Sequence, residues 1–188
     1  MSRWEPNARG RLEQAALELY RERGFDQTTV TEIAERAGLT ERTFFRHFAD
    51  KREMLFWGQD MMRELYVNAI EAAPPDASPI DMVAAAQEAV VPMLRERHAI
   101  AQQRQAIIAA NPGLQERELL KRAALASAMA DALRRRGVPD PTARLAAEVG
   151  IIAFMTAFAR WVSAPDEQDL AHLICESFDQ LKVITSGT

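Results

Sequence analysis

Residues Thr28 to Lys51 read TTVTEIAERAGLTERTFFRHFADK, and this stretch decides the fold. Thr29 stands where a helix N-cap belongs, and Glu32 three residues later completes a capping box. Val30, Ile33, Ala34 and Ala37 then recur at helical spacing and give one apolar stripe. Gly38 follows, and a glycine there turns the chain sharply through a left-handed backbone angle. Thr40 is the next N-cap. Phe44, Phe45 and Phe48 give the second helix a bulky apolar side, while Thr40, Glu41, Arg42 and Thr43 keep its start polar. Ala34 and Gly38 are small at the crossing point, so the two helices can approach closely. The stretch predicts two short helices joined by a glycine turn, over about residues 29–48.

Such a pair is either a plain helical hairpin or a helix-turn-helix, whose second helix enters the major groove with its N-terminal residues at base edges. The flanks favour the second reading. Asn7 to Gly24 predicts a preceding helix with Leu12, Ala15, Ala16, Leu19 and Tyr20 on one face. Gly24 ends it, and Phe25 can fold back on it. Asp50 caps a further helix, with Glu53 in the capping-box position. In this frame Arg42 and Thr43 are the candidates for base contact, since an arginine can grip guanine with two hydrogen bonds. The hydroxyls of Thr28 and Thr29, with the amides of that helix start, suit phosphate, and Thr40 does likewise. Arg42, Arg46, His47 and Lys51 cluster at this end, opposed by Glu41 and Asp50.

The charge balance is unusual for a nucleic-acid reader. The 188 residues carry a net charge of −4, whereas such domains are often basic. Residues 1–56 hold ten Lys or Arg and ten Asp or Glu, so the acidic excess lies wholly beyond them. Recognition must then rest on where charges sit. The single cysteine, Cys175, excludes an internal disulfide and a cysteine-cluster metal site, and its apolar helical surroundings predict a buried, inert thiol. The start MSRWEPNARGR has no apolar core of a signal peptide, and no run approaches ~20 apolar residues. Both point to a soluble, cytoplasmic protein with no membrane partner. Only three histidines occur, His47, His98 and His172, none beside a nucleophile motif, and no glycine-rich phosphate loop exists. The chain is not expected to be an enzyme or to carry a cofactor or metal.

Nothing reads as strand, so the fold class is all-α. Asp50 to about Ala72 predicts one long helix, ended by Ala73-Pro74-Pro75. Ser78 caps the next, to about Arg97, with Pro92 bending or breaking it late. A short helix follows from His98 to Ala109. Asn111-Pro112 and Asp140-Pro141 each look like a cap with proline at the first helical position. The helices they open run to about Arg136 and Ser163. Pro165, Asp166, Glu167 and Asp169 open the last helix, where acids suit the positive dipole end. The total is about nine helices: a helix-turn-helix domain over 1–52, and a helical effector-binding and dimerisation domain over 53–188.

The helix from Thr142 to Ser163 is apolar on more than one face, which implies burial on more than one side. Phe154, Phe158 and Trp161 on it, with Leu173, Ile174 and Phe178 on the last helix, are the candidate dimer interface, an intrachain core being the alternative. Two such helices from each chain would pack as a four-helix bundle about a two-fold axis. Trp57, Met61, Met62 and Tyr66, with Met82, Val90, Met93 and Leu94, are candidate lining for an effector pocket. Methionine suits irregular apolar surfaces, and plain core is an equal alternative for each.

The segment from about Asn7 to Leu55 resembles the DNA-binding domain of the TetR (tetracycline-repressor) family. The resemblance is carried by AALELYRERGFDQTTV, by TEIAERAGLTERTFFRHF and by the step Asp50-Lys51. It implies that His47 and Lys51 contact phosphate, which fixes register and carries no direct sequence information. The chain departs from the family at Phe45, where tyrosine is common; phenylalanine has no hydroxyl for phosphate and would pack against sugar or a thymine methyl. Arg104 to Trp161 resembles a C-terminal domain class of TetR-type regulators that includes regulators of mycofactocin gene clusters, associated with acyl-coenzyme A. The matching features are Asn111-Pro112-x-Leu114-x-Glu116-Arg117, Arg136-Gly137-Val138 and Arg160-Trp161. Such a site needs an apolar slot and cations for phosphate, and Arg97, Arg104, Arg117, Lys121 and Arg122 are the candidates, a solvated charged face being the alternative. The resemblance implies a homodimeric, ligand-responsive repressor on a palindromic operator, its effector an acyl-CoA or another apolar small molecule. Ligand would bias the angle of the Asp50–Ala72 helix, continuous with the DNA end. A helical small-molecule-binding protein without DNA binding is the alternative.

Overall fold

The computed structural model describes residues 7–164 and 168–186. Among them lie nine α-helices and no strand. They are α1 (Ala8–Arg23), α2 (Val30–Arg36), α3 (Glu41–His47), α4 (Gly58–Ala72), α5 (Pro79–Arg95), α6 (His98–Ala109), α7 (Pro112–Arg135), α8 (Asp140–Ser163) and α9 (Leu170–Thr185). The expected opening of α9 by Pro165, Asp166 and Glu167 lies outside the described residues; Asp169 caps it, accepting from the Ala171 amide at 3.1 Å.

The chain divides into two compact units. One comprises residues 1–58 and 103–118; the other comprises 59–102 and 119–188. The helix-turn-helix stretch thus shares a unit with the end of α6 and the start of α7. Arg104 and Arg117 make that association. The Arg104 guanidinium donates to the Leu55 carbonyl at 2.6 Å and to Glu118 at 3.0 Å, and lies 4.9 Å from the Phe56 ring centre. Arg117 donates to Glu53 at 2.9 Å. Ile108 and Leu114 are buried beneath this polar layer.

The expected helix from Asp50 to Ala72 is broken. A single 3₁₀ turn covers Glu53–Leu55, capped by the Asp50 carboxylate, which accepts from the amides of Arg52 and Glu53 at 2.7 and 2.9 Å. The Glu53 carboxylate is engaged by Arg117. Phe56 and Trp57 then interrupt the helix, and α4 starts at Gly58. Tertiary anchoring explains the break: Phe56 is buried under Arg104, and the Trp57 indole donates to Glu13 at 3.0 Å.

In the second unit, α8 is the centre. It packs mainly on α9 and α5. Gly150 permits the close approach to α5: a Cβ there would stand 2.2 Å from Val83 Cγ1 and 3.1 Å from Gln87 Nε2. Phe154, Phe158, Trp161, Leu173, Ile174 and Phe178 are all buried within this chain's own core. They were the expected dimer interface, and the structure makes them intrachain packing instead. An all-round apolar helix specifies burial but not the chain that supplies it. The apolar groups exposed on the same two helices are Leu145, Ile152, Val183 and Ile184. By length and composition α8 could cross a membrane, contrary to the sequence expectation; 44% of its most apolar stretch is buried inside this core. Two smaller expectations also change. Asp140 does not cap α8, where Pro139 is the cap residue; its carboxylate engages Arg134 and Arg144. Cys175 is exposed on α9, not buried.

Candidate nucleic-acid interface

The helix-turn-helix is assembled by local chemistry. Thr29 caps α2 in a complete capping box: its hydroxyl accepts from the Glu32 amide at 3.2 Å, and Glu32 accepts from the Thr29 amide at 2.9 Å. Gly38 has φ of 66°, the left-handed angle that ends α2. Its missing side chain also matters, because a Cβ would stand 2.8 Å from the Arg11 guanidinium, which donates to the Ala37 carbonyl. Thr40 caps α3 by accepting from the Thr43 amide at 3.2 Å. Phe44 and Phe48 enter the core beside Ile33, Ala34, Leu12 and Leu19. Burying each such side chain contributes about 1.5–3 kcal/mol, so the short α2 and α3 are held by tertiary contact more than by propensity.

That packing decides which face of α3 is presented. Arg42, Phe45 and Arg46 are exposed, at the i, i+3, i+4 spacing of one helix face. Phe45 is 55% exposed, an unusual state for phenylalanine, with the Phe44 ring edge-on to it at 5.3 Å between centres. Among the described residues neither the Arg42 nor the Arg46 side chain makes a hydrogen bond or ion pair. Thr43 is half-buried, its hydroxyl 3.1 Å from that of Thr40. Glu41 accepts from the Thr31 hydroxyl of α2, which turns its charge aside.

Three expected phosphate contacts are placed differently. Thr28 is buried and its hydroxyl donates to the Gly24 carbonyl at 2.9 Å, so its donor is used. Lys51 points into the protein: its ammonium donates to the carbonyls of Phe25, Asp26 and Thr28 at 2.8, 3.2 and 2.8 Å, over the Phe25 ring at 4.5 Å. An ammonium has three donors, and all three are spent. His47 is half-buried, with Nε2 fully buried and without a partner. Burial, then the nearby charges of Arg46 and Arg9, hold its pKa below the ordinary value, so it is neutral at pH 7. The exposed set that remains is Thr29, Thr40, Arg42, Phe45 and Arg46, with Thr43 half-exposed.

The expected effector residues are scattered as well. Trp57, Arg104 and Arg117 belong to the DNA-binding unit. There the two arginines are engaged with Glu118 and Glu53. Tyr66 is fully buried in the second unit, Met62 packs on its core, and Met93 and Arg97 are half-buried. Met61 is 51% exposed. Sequence reasoning missed Gln87, a fully buried amide in the apolar run of α5; its place opposite Gly150 is a tertiary fact with no local signature. Among the described residues no cluster of metal ligands occurs.

A capped two-helix frame that offers one exposed, cationic helix face is the reading head of a helix-turn-helix DNA-binding protein. Residues 13–56 match the family model for bacterial regulatory proteins of the tetR family, and residues 77–184 match the model for the MftR C-terminal domain. The chain belongs to the TetR family of transcriptional regulators and carries an MftR-type C-terminal domain. The HTH-type transcriptional regulator TcmR of Streptomyces glaucescens is 36% identical over 88 residues, which are 47% of this chain and 39% of TcmR. The match thus spans well under half of that relative. Among solved structures, FadR from Bacillus subtilis in complex with stearoyl-CoA has a TM-score of 0.63 at 20% identity, covering 92% of this chain and 96% of that one. Thermus thermophilus FadR in complex with lauroyl-CoA has a TM-score of 0.56 at 22% identity, with 92% of each chain covered. A transcriptional regulator from Pseudomonas aeruginosa PAO1 has a TM-score of 0.64 at 18% identity, covering 99% and 94%. At these identities the likeness is one of fold.

Proposed function

We propose that the chain is a ligand-responsive repressor that binds a palindromic operator as a homodimer in the cytoplasm. The observation that carries the reading is the exposed α3 face of Arg42, Phe45 and Arg46, with no ion pair to Arg42 or Arg46 among the described residues. Arg42 is assigned to a base edge, with Thr43 beside it. Arg46, the Thr29 and Thr40 hydroxyls and the amides of the α2 start are assigned to phosphate. Phe45 is assigned to sugar or a thymine methyl.

A dimer is required by the geometry of DNA, since two recognition helices must meet major grooves about 34–36 Å apart. With the nominated aromatic residues buried in the core, the dimer surface is assigned to the outer faces of α8 and α9, where Leu145, Ile152, Val183 and Ile184 are exposed. The effector is assigned to the apolar second unit. An acyl-CoA remains the ligand class to test first, because two fold relatives are described with acyl-CoA; the internal pairing of Arg104 and Arg117 speaks for a smaller apolar ligand. Helices α6 and α7 each contribute residues to both units, and they replace the broken Asp50–Ala72 segment as the continuous element that carries the signal. A gel shift on the DNA upstream of the chain's own gene, at two salt concentrations with and without lauroyl-CoA, tests the reading. Loss of specific binding on Arg42→Ala supports it; an absence of specific binding by the native dimer refutes it in favour of a helical binder without DNA.

A further inference from the structure

A side-chain hydrogen bond ties the exposed N-terminal ends of α2 and α3 together. The hydroxyl of Thr31, the second residue of α2, donates to Oε1 of Glu41, the first residue of α3. Both residues are exposed. An exposed bond of this kind exchanges with water and adds modestly to stability; its larger consequence is where it holds the carboxylate. Threonine is stiff at χ1, whereas glutamate has long, freely rotating arms to restrict. Thr31 also lies so near the start of α2 that no helical carbonyl four residues back competes for its hydroxyl. The flexible glutamate is therefore fixed by a rigid partner. Glu41 stands four residues before Phe45, at the N-terminal edge of the exposed α3 face. The bond turns the carboxylate toward α2 and away from Arg42 and Arg46, and its Oε2 makes no hydrogen bond among the described residues.

The chemistry of a fixed carboxylate narrows what it can meet on a duplex. It offers acceptors and no donor, and phosphate repels it. A base edge that donates is the remaining partner. In the major groove guanine shows two acceptors, thymine an acceptor and a methyl group, and adenine an acceptor beside its amino group. Cytosine shows its N4 amino group alone. Cytosine is thus the base that gives the carboxylate a hydrogen bond without setting an acceptor against it. Any other base leaves a charged oxygen stripped of water and badly matched, which is unfavourable. Neighbouring residues on a helix do not face the same way, so Glu41 and Arg42 address different base pairs: a cytosine for the first and a guanine for the second.

We propose that Glu41 is a specificity-determining residue that selects cytosine in each operator half-site, and that Thr31 is the residue that positions it. The proposal rests on the DNA-binding reading above and deepens it, because it adds a second chosen base, and a set of rejected ones, to the guanine assigned to Arg42. The carboxylate does not add to affinity for DNA at large; it works by making wrong sites worse.

The test is selection of bound sequences from a random duplex library by the purified full-length protein, followed by fluorescence anisotropy on the selected site and its point variants. Removing a negative charge raises affinity for every sequence, so the readout is the ratio between bases at each position. The native protein is expected to prefer cytosine over thymine roughly tenfold at one position of each half-site, the usual effect of one wrong pair. Glu41→Gln should move that preference to adenine, whose N6 and N7 suit a glutamine amide, and leave the guanine position unchanged. Thr31→Val keeps the glutamate and the shape but removes the hydroxyl; it should cut the cytosine preference at least threefold, and Thr31→Ser should restore it. A merely structural Thr31 would shift the melting midpoint and leave the base ratio alone, which overturns its positioning role. Base preferences that are the same in Glu41→Gln as in the native protein overturn the proposal and leave the DNA-binding reading standing. A native protein that enriches no sequence overturns both.

Discussion

Replacing Lys51 distinguishes a structural bolt from a DNA contact. The ammonium donates to three carbonyls of the α1–α2 loop, those of Phe25, Asp26 and Thr28, at 2.8, 3.2 and 2.8 Å. A hydrogen bond to a charged group contributes about 1.5–3 kcal/mol when fully formed. Lys51 is half-buried, so water can take over part of what is lost, and the three bonds do not add. Lys51→Met keeps the stem against Phe25 and removes the donors; the expected loss is about 2 kcal/mol. For a unit of this size each kcal/mol lowers the midpoint by ~4–8 °C, so the DNA-binding unit should melt roughly 10 °C earlier. The salt dependence of operator binding, measured well below that midpoint, should be unchanged. A lysine on phosphate would instead reduce the slope of log K against log salt by ~0.9. Thermal melts followed by circular dichroism, with gel shifts at several salt concentrations, give both numbers. An unchanged midpoint together with a slope reduced by about one would falsify the bolt and restore the phosphate contact.

Arg42→Ala should cost about 1–3 kcal/mol on the operator and little on random DNA, so the affinity ratio between them narrows; an equal loss on both would make Arg42 a phosphate contact. Gly150→Ala should destabilise the second unit by about 2 kcal/mol, because the new Cβ would meet Val83 Cγ1 at 2.2 Å in a full core; adding Val83→Ala should then cost less than the two single changes summed, and simple additivity in urea melts would refute the close approach. His47 has a folded pKa below its ordinary value of ~6.5, held there by burial first. Below pH ~6.5 the unfolded chain takes up that proton before the folded one does, so stability falls with falling pH; a melt series from pH 7.5 to 5 should show this loss, reduced in His47→Gln. Ile152→Glu, at a position 64% exposed, should give a folded monomer in sedimentation, whereas Phe158→Ala, in the core, should lower stability.

The local signals were read correctly because caps and glycine turns are satisfied within four residues. Thr29 with Glu32, Thr40 and Gly38 all act where the spacing put them. What the sequence left open was the partner of a long or buried group. Lys51 chooses between phosphate and the carbonyls of a loop 23 residues away in sequence. Arg117 finds Glu53 across 64 residues, and this pairing, with Arg104, places the α6–α7 corner with the DNA-binding stretch. The helix expected from Asp50 to Ala72 keeps its periodicity through Phe56 and Trp57, yet both are anchored elsewhere and the helix yields. Phe154 and Phe158 show the same limit: their spacing demanded burial, and either their own chain or a second copy would have met it.

The neutral charge of the DNA-binding stretch then follows from how its cations are used. Arg36 is bound to Glu22 by two hydrogen bonds of 3.1 and 2.9 Å, Arg23 to Glu32 at 2.7 Å, and Arg11 to the Ala37 carbonyl. Lys51 is bound to carbonyls, and Arg9 lies over Phe48 and Trp57. These charges build the frame and add little field toward a duplex. Arg42 and Arg46 stay exposed on α3, as do Arg21 and Arg52 elsewhere in the stretch, and in the proposed reading the α3 pair faces the duplex. A surface of this kind gains less non-specific affinity from counterion release than a broadly basic one. Under the proposed role of α3, discrimination would depend on Arg42 and its neighbours meeting the right base edges, and the acidic balance of the whole chain is compatible with sequence-specific binding.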